Sequence, residues 1–474
     1  MRARLTALAV LTALAGCGGD DDRRDQEGTA ASRSTAAKRA DVHRFRTAPK
    51  LRPPAVEVRR RRRGTAPGHI FLTPRKGAGQ DGPLIVDGRG RPVWFRPLRG
   101  EGRYASDLRV QRYRDEPVLT WWEGRGAGGG GNGEYVILDS RYEEVARVQA
   151  GNGFEGDLHE FELTGEGTAL FTIYRSVRGG RIVDNLIQEV DVETGKVLFQ
   201  WSALRHVPLR DSYKERTPGK AWDYVHLNSI DVDDDGHLLV SARNTHAIYK
   251  IHRRTGRVLW TLGGRQSDFR MGRGTQFAWA HDARRQANGD VTIFDNAAAP
   301  KVRDESRGLV LDVDERRRRV RLERAYRHPL GLSTHILANV QRLPNRNVFI
   351  GWGATAHFSE HARGGRMLFD ARFADTENDT YRAYRFPWTG RPAGEPRVAA
   401  TRATVYASWN GATEVRRWRV LAGPALDALE PAGTAARRGF ETAIAVSMRE
   451  PFVAVQALGA GGEVLGNSRA IRRK

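Results

Sequence analysis

Between Trp222 and Asp282 the chain gathers residues that could do chemistry, and it sets them in strand-and-turn context. Trp222-Asp223-Tyr224-Val225-His226-Leu227-Asn228-Ser229-Ile230 runs into the turn Asp233-Asp234-Asp235-Gly236 and re-emerges as Leu238-Leu239-Val240-Ser241-Ala242-Arg243-Asn244. Later, Phe277-Ala278-Trp279-Ala280-His281-Asp282 again brings a histidine to the start of a strand. Imidazoles and a guanidinium on neighbouring strands suit the handling of a compact oxyanion. An arginine fork holds two oxygens of a tetrahedral anion at once, which a lysine cannot do. Transfer of an anionic group is therefore the first function class to consider.

Four of the chain's 13 histidines, His159, His226, His281 and His335, stand where a connecting segment starts a strand. One such histidine alone reads as a hydrogen-bonded core residue, but several at equivalent places point to a shared site. The other nine lie beside arginines or polar residues and are expected at the surface: His43, His69, His206, His237, His246, His252, His328, His357 and His361. Arg243 is the natural companion of His226, one hairpin away. Its bland reading is a structural ion pair with Asp223 or Asp282. Three or four histidines could also ligate zinc or copper, but such sites usually recruit carboxylate or Cys ligands and exclude a cation like Arg243. The Asp231–Gly236 stretch begins like a calcium loop, yet Ala242 stands where the bidentate Glu belongs, so it reads as a solvent-facing turn. No metal and no cofactor are expected.

The elements that must position these residues are strands. An apolar strand, a turn and a second strand recur at Leu84–Phe95, Tyr135–Val148, Glu189–Phe199, Ile248–Trp260, Gly308–Val320 and Phe358–Phe369. Asp87, Asp139, Asp191 and Asp312 recur near the strand ends as turn-formers. Six units at 40- to 60-residue spacing fit the period of propeller blades. The expectation is an all-β chain: a six-bladed β-propeller over residues 67–390, then a small C-terminal β-sandwich of fibronectin type III or Ig-like form over 391–474. In a propeller the innermost strands line a central channel, so the four histidines would converge at one end of it.

Composition narrows the partners. The chain has 474 residues, a formal net charge of +22 and 39% hydrophobic residues. Only 9 of the 78 basic residues are Lys, and the arginines are spread along the whole chain, which points to a compositional bias. With no stacking platform or binding motif beside the one dense run, Arg59–Arg63, nucleic acid is not an expected partner. At the N-terminus, Met1-Arg2-Ala3-Arg4 is followed by an apolar stretch from Leu5 to Leu14 and by Leu14-Ala15-Gly16-Cys17. That stretch is too short to span a bilayer and reads as a signal-peptide core. Its ending resembles a bacterial lipobox, so residues 1–17 are expected to be a lipoprotein signal peptide with lipidation at Cys17. Residues 18–66 would be a disordered tether. The expected location is the extracytoplasmic face of the cell membrane. Cys17 is the sole cysteine, so no intramolecular disulfide can form.

Together the segments around His226, Ser241-Ala242-Arg243-Asn244, Ala280-His281-Asp282-Ala283-Arg284 and Phe294-Asp295-Asn296 resemble the bacterial arylsulfate sulfotransferases, in particular their actinobacterial lipoprotein branch. The resemblance covers roughly residues 67–390. It implies a propeller that moves a sulfuryl group from an aryl sulfate to a phenol through a sulfohistidine, without a nucleotide sulfate donor. It further implies that His281 is the nucleophile, that His226 and Arg243 hold the sulfuryl oxygens, and that His159 is a further channel histidine. Two departures stand out. The N-terminal sandwich of the periplasmic enzymes is missing, and the Arg243-to-His281 interval is shorter. The rival reading is a non-catalytic cell-surface propeller lipoprotein binding an anionic or carbohydrate ligand. A quinoprotein oxidoreductase is disfavoured, because tryptophan-docking repeats and an adjacent cysteine pair are both lacking.

Overall fold

The computed structural model describes residues 41–127, 129–447 and 449–473. The expected signal peptide, Cys17 and residues 18–40 of the expected tether lie outside the described residues. The fold is all-β, as expected, and the helical segments among the described residues are short turns such as Ala203–His206.

Six largely antiparallel sheets of four or five strands account for residues 56–386; Trp222–Asp223 and Arg270–Met271 join theirs in parallel. In the second to fifth sheets four strands follow one another along the chain, as in Leu227–Val232, Leu238–Ala242, Ala247–Ile251 and Val258–Gly263 of the fourth. The pattern of β-branched and aromatic residues bounded by Gly or Asp turns explains these hairpins locally. Asp87 and Asp139 each accept two backbone N–H bonds inside their turns. Asp312 departs from that role: it lies within the strand Arg307–Asp314, and Asp314 takes the turn position, accepting from the Arg317 N–H.

The first and sixth sheets are completed by distant chain. Tyr384–Phe386 pairs with His69–Leu72 to give the first sheet a strand from the far end of the sequence. Val56–Arg61 pairs with Met367–Phe373 on the outer edge of the sixth. Residues 41–66 are thus ordered where a disordered tether was expected. The physical reason is that edge pairing, together with the Ala66 N–H donating to buried Glu360, fixes them. Each sheet packs on the next in chain order, and the sixth packs on the first. The apolar clusters fill the spaces between neighbouring sheets, as where Leu170, Ile187 and Trp201 of the third meet Leu227, Val240 and Tyr249 of the fourth.

Beyond residue 390, two smaller sheets share one apolar core that includes Val405, Trp418, Val420, Ile444 and Val455.

Candidate functional site

The inner strands of the six sheets converge, and their starting ends carry the imidazoles. His159 precedes Phe161–Leu163, His226 precedes Leu227–Val232, and His281 begins His281–Arg285. The rings of His159 and His226 lie 4.8 Å apart, and those of His226 and His281 lie 6.5 Å apart. Three sequence-nominated histidines therefore form one cluster. His335 is exposed and reaches the site through its backbone: its carbonyl accepts from Arg243 Nη2 at 2.9 Å.

Each imidazole is held by a partner on Nδ1. His159 meets Asp157 at 2.5 Å, and His226 meets Asp223 at 2.5 Å. His281 meets Asn296 Oδ1 at 2.7 Å. Asn296 has no freedom to turn, because its Nδ2 donates to the carbonyls of Thr334 and Leu337, both at 3.1 Å. Its oxygen therefore faces the ring, which places the proton of neutral His281 on Nδ1 and leaves a lone pair on Nε2. Burial with Arg243 nearby holds His281 well below the usual imidazole pKa. Burial also lowers His226, against the pull of Asp223, to about 4. Both rings are therefore neutral near pH 7.

Arg243 is 8% exposed, and burial pushes its guanidinium down to about 10, so it keeps its charge. The ion-pair reading of this residue fails. Asp223 is engaged by His226, Asp282 is engaged by Arg284 and Arg382, and Arg243 donates instead to Asn244 Oδ1 and the His335 carbonyl. Its Nε and the nearby Asn228 Oδ1 are buried without a partner among the described residues. The guanidinium lies 4.9 Å from the Trp279 ring centroid. Asp223 acts on it only from beyond ion-pair contact, and a buried cation with no carboxylate in contact is expensive unless something anionic visits it.

Supporting residues were missed in the sequence. Tyr174 stacks on His159, and its hydroxyl donates to the Leu227 carbonyl at 2.6 Å. The Tyr381 ring meets His159 edge-on. Asp157 also accepts from the Gly131 N–H at 2.7 Å. That approach needs glycine, since a Cβ on Gly131 would stand 2.7 Å from the Trp122 ring. A carboxylate two or three residues before a strand-starting histidine was the legible signal for Asp157 and Asp223.

Beneath the imidazoles lies a buried layer of charge. Glu160 is paired with Arg109, Arg284 and Arg382, and Arg382 also meets Asp107 at 3.0 Å and Asp282 at 3.4 Å. Residues on or next to the inner strand of every sheet join this layer, the sixth through the Val340 N–H to Asp282. On its far side opens a cavity of about 550 Å³ lined by Glu162, Asp231, Arg284 and Gln286. A separate cavity of about 690 Å³ lies away from the histidines, against Trp94, Tyr142 and Trp409.

Four histidines expected at the surface are buried: His246, His328, His357 and His361. His246 packs between Tyr213 and Trp279. His328 and His357 both face Asp370 Oδ1, at 3.1 and 3.4 Å, and these three form the one metal-competent group among the described residues. The Leu330 N–H donates into His328 Nδ1, which places the proton of the neutral ring on Nε2, facing Asp370. The group is a hydrogen-bonded triad. Asp233 also departs from expectation: it is buried and paired with Lys250 and Arg285.

A buried guanidinium with no carboxylate in ion-pair contact, beside three oriented imidazoles in an all-β frame, is an arrangement suited to a small oxyanion. The family model described as Arylsulfotransferase (ASST) matches residues 109–374, more than half of the chain, and the chain belongs to that family. The family supports aryl sulfotransferase activity in general, with aryl sulfates and phenols as substrates. A search of curated proteins found no significant match. Solved structures similar to the chain include a protein of unknown function from Bacteroides caccae, at 15% identity and TM-score 0.44, covering 68% of this chain and 100% of that one. Another is a catalytically inactive variant of virginiamycin B lyase from Staphylococcus aureus, at 8% identity and TM-score 0.36, covering 75% and 97%.

Proposed function

We propose that the chain is a six-bladed β-propeller with a C-terminal β-sandwich that transfers a sulfuryl group from an aryl sulfate to a phenol through a sulfohistidine on His281. The observation that carries this reading is the bond from His281 Nδ1 to an immobilised Asn296 amide, which presents an Nε2 lone pair beside the carboxylate-free cation Arg243. The ring of six mutually packed sheets supports the propeller. The shared core of the last two sheets supports the sandwich. The lipobox-like ending at Cys17 supports a lipid anchor on the extracytoplasmic face.

In the first step His281 Nε2 attacks sulfur, and the S–O bond to the aryl group breaks. The phenolate leaves with the electron pair, and its proton comes from His226. An arriving sulfate monoester brings the negative charge that favours His226 as imidazolium, with Asp223 stabilising it. Arg243 holds the equatorial oxygens, where charge accumulates in a loose transition state. In the second step His226 takes the proton of the acceptor phenol, whose oxygen attacks sulfur, and the N–S electrons return to His281. That proton is released to solvent as the product leaves and one is taken up again with the next sulfate ester, so each turnover balances. His159, held by Asp157, walls the same space.

The test is intact-mass spectrometry of the protein after brief exposure to 4-nitrophenyl sulfate without acceptor. The expected result is a gain of one sulfuryl group that disappears in His281→Ala. Tight binding of the ester with neither adduct nor nitrophenol would instead establish a non-catalytic anion-binding protein.

A further inference from the structure

The strand Val56–Arg61 carries the start of an arginine run, Arg59–Arg63, and all five residues are exposed. The acids that could neutralise the run are already engaged. Glu57, on the same strand, is taken by Arg372 at 3.1 Å. Asp370, in register with Arg60, is held by His328 and His357. Exposed Arg89 extends the positive surface, because Gly88 lies against the Arg61 guanidinium. Exposed Arg366 does the same at the start of the strand whose Leu368 carbonyl accepts from the Arg62 N–H.

Charges on an edge strand also discourage edge-to-edge pairing. One or two would do that, whereas this run continues through Arg62 and Arg63, past the end of the strand. The run is on the outer edge of its sheet, while the imidazoles sit on inner strands, so it does not serve the sulfuryl site. No aromatic residue lies between Val56 and Gly68 to stack on a nucleobase. The Asp41 carbonyl accepts from the Ala55 N–H at 2.7 Å and Val42 bridges to Pro54, so residues 41 and 42 lie against the start of the strand whose far end carries the arginines.

We infer that the Arg59–Arg63 edge is a docking surface for anionic lipid headgroups, which turns this side of the molecule toward the membrane. The choice of a lipid surface over other polyanions rests on the lipid-anchor reading of Cys17; the exposed, unneutralised arginines do not depend on it.

Protein of residues 17–474 with Cys17→Ser, which carries neither the apolar Leu5–Leu14 stretch nor an acyl chain, is sedimented with phosphatidylcholine vesicles with and without phosphatidylglycerol. Binding is expected only with phosphatidylglycerol and should fall steeply with salt. Changing Arg59 to Arg63 together to Gln should weaken it by ~25-fold if two arginines engage, at about fivefold each. The matching Arg-to-Lys set should bind as before, since the attraction is to charge. Retained aryl sulfotransferase activity in the Gln set confirms that it folds. Equal binding by the Gln set, equal binding to neutral vesicles, or binding to soluble polyphosphate in place of vesicles would each overturn the inference. Mass analysis of membrane-fraction wild type reads acylation separately, so failure of the anchor reading is distinguishable from failure of the docking surface.

Discussion

Asn296→Ala isolates the feature on which nucleophilicity depends. In the proposed first step, as His281 Nε2 bonds to sulfur, positive charge spreads to Nδ1–H, and the 2.7 Å bond to Asn296 Oδ1 becomes charge-assisted. A hydrogen bond to a charged group contributes about 1.5–3 kcal/mol. Losing it from the transition state should slow the first step by roughly 10- to 150-fold. The substitution also releases two carbonyls. That of Thr334 keeps a bond from Ser306 Oγ at 3.3 Å, while that of Leu337 loses the donor recorded for it. The fold should therefore lose about 2–4 kcal/mol, chiefly from the unsatisfied oxygen. Rapid-quench measurement of nitrophenol release without acceptor gives the first-step rate, and urea unfolding gives the stability. Asn296→Asp provides a second reading: a buried carboxylate would favour imidazolium at His281 and shift the rate profile to higher pH. If Asn296→Ala lowers stability but leaves the first-step rate within a factor of two of wild type, Asn296 does not set the tautomer and the argument fails.

Arg243→Lys keeps a charge but loses the fork, so kcat/KM for aryl sulfates should fall by about 100- to 1,000-fold in steady-state assays with the fold preserved. Glu160→Gln removes the anion that three buried arginines share, and chemical denaturation should show a loss of about 3–5 kcal/mol.

What could be read from the sequence follows from how far each feature reaches along the chain. The six recurring strand pairs are local, and each coincides with the third and fourth strands of one observed sheet, for example Ile248–Trp260 with Ala247–Ile251 and Val258–Gly263. Val56–Arg61 and Tyr384–Phe386 are equally short strands, but their partners lie about 300 residues away, and a local pattern carries no information about such pairing. The site divides in the same way. His159, His226 and His281 were legible because equivalent places in a repeat carry the same residue type. Asn296 drew notice only within a motif, since its role depends on carbonyls from the Thr334–Leu337 segment. The buried histidines misled for a related reason. Neighbouring arginines suggested a wet surface around His328, whereas Asp370, contributed by another strand, makes its burial tolerable.

The buried charge layer around Glu160 has a consequence for traffic. It draws bonds from all six sheets where their inner strands meet, so charged side chains already committed to one another stand between the imidazoles and the cavity lined by Glu162 and Asp231. On the proposed reading, the spent phenol then leaves by the side it entered before its successor comes in, and the charge layer enforces the same alternation as a two-step transfer.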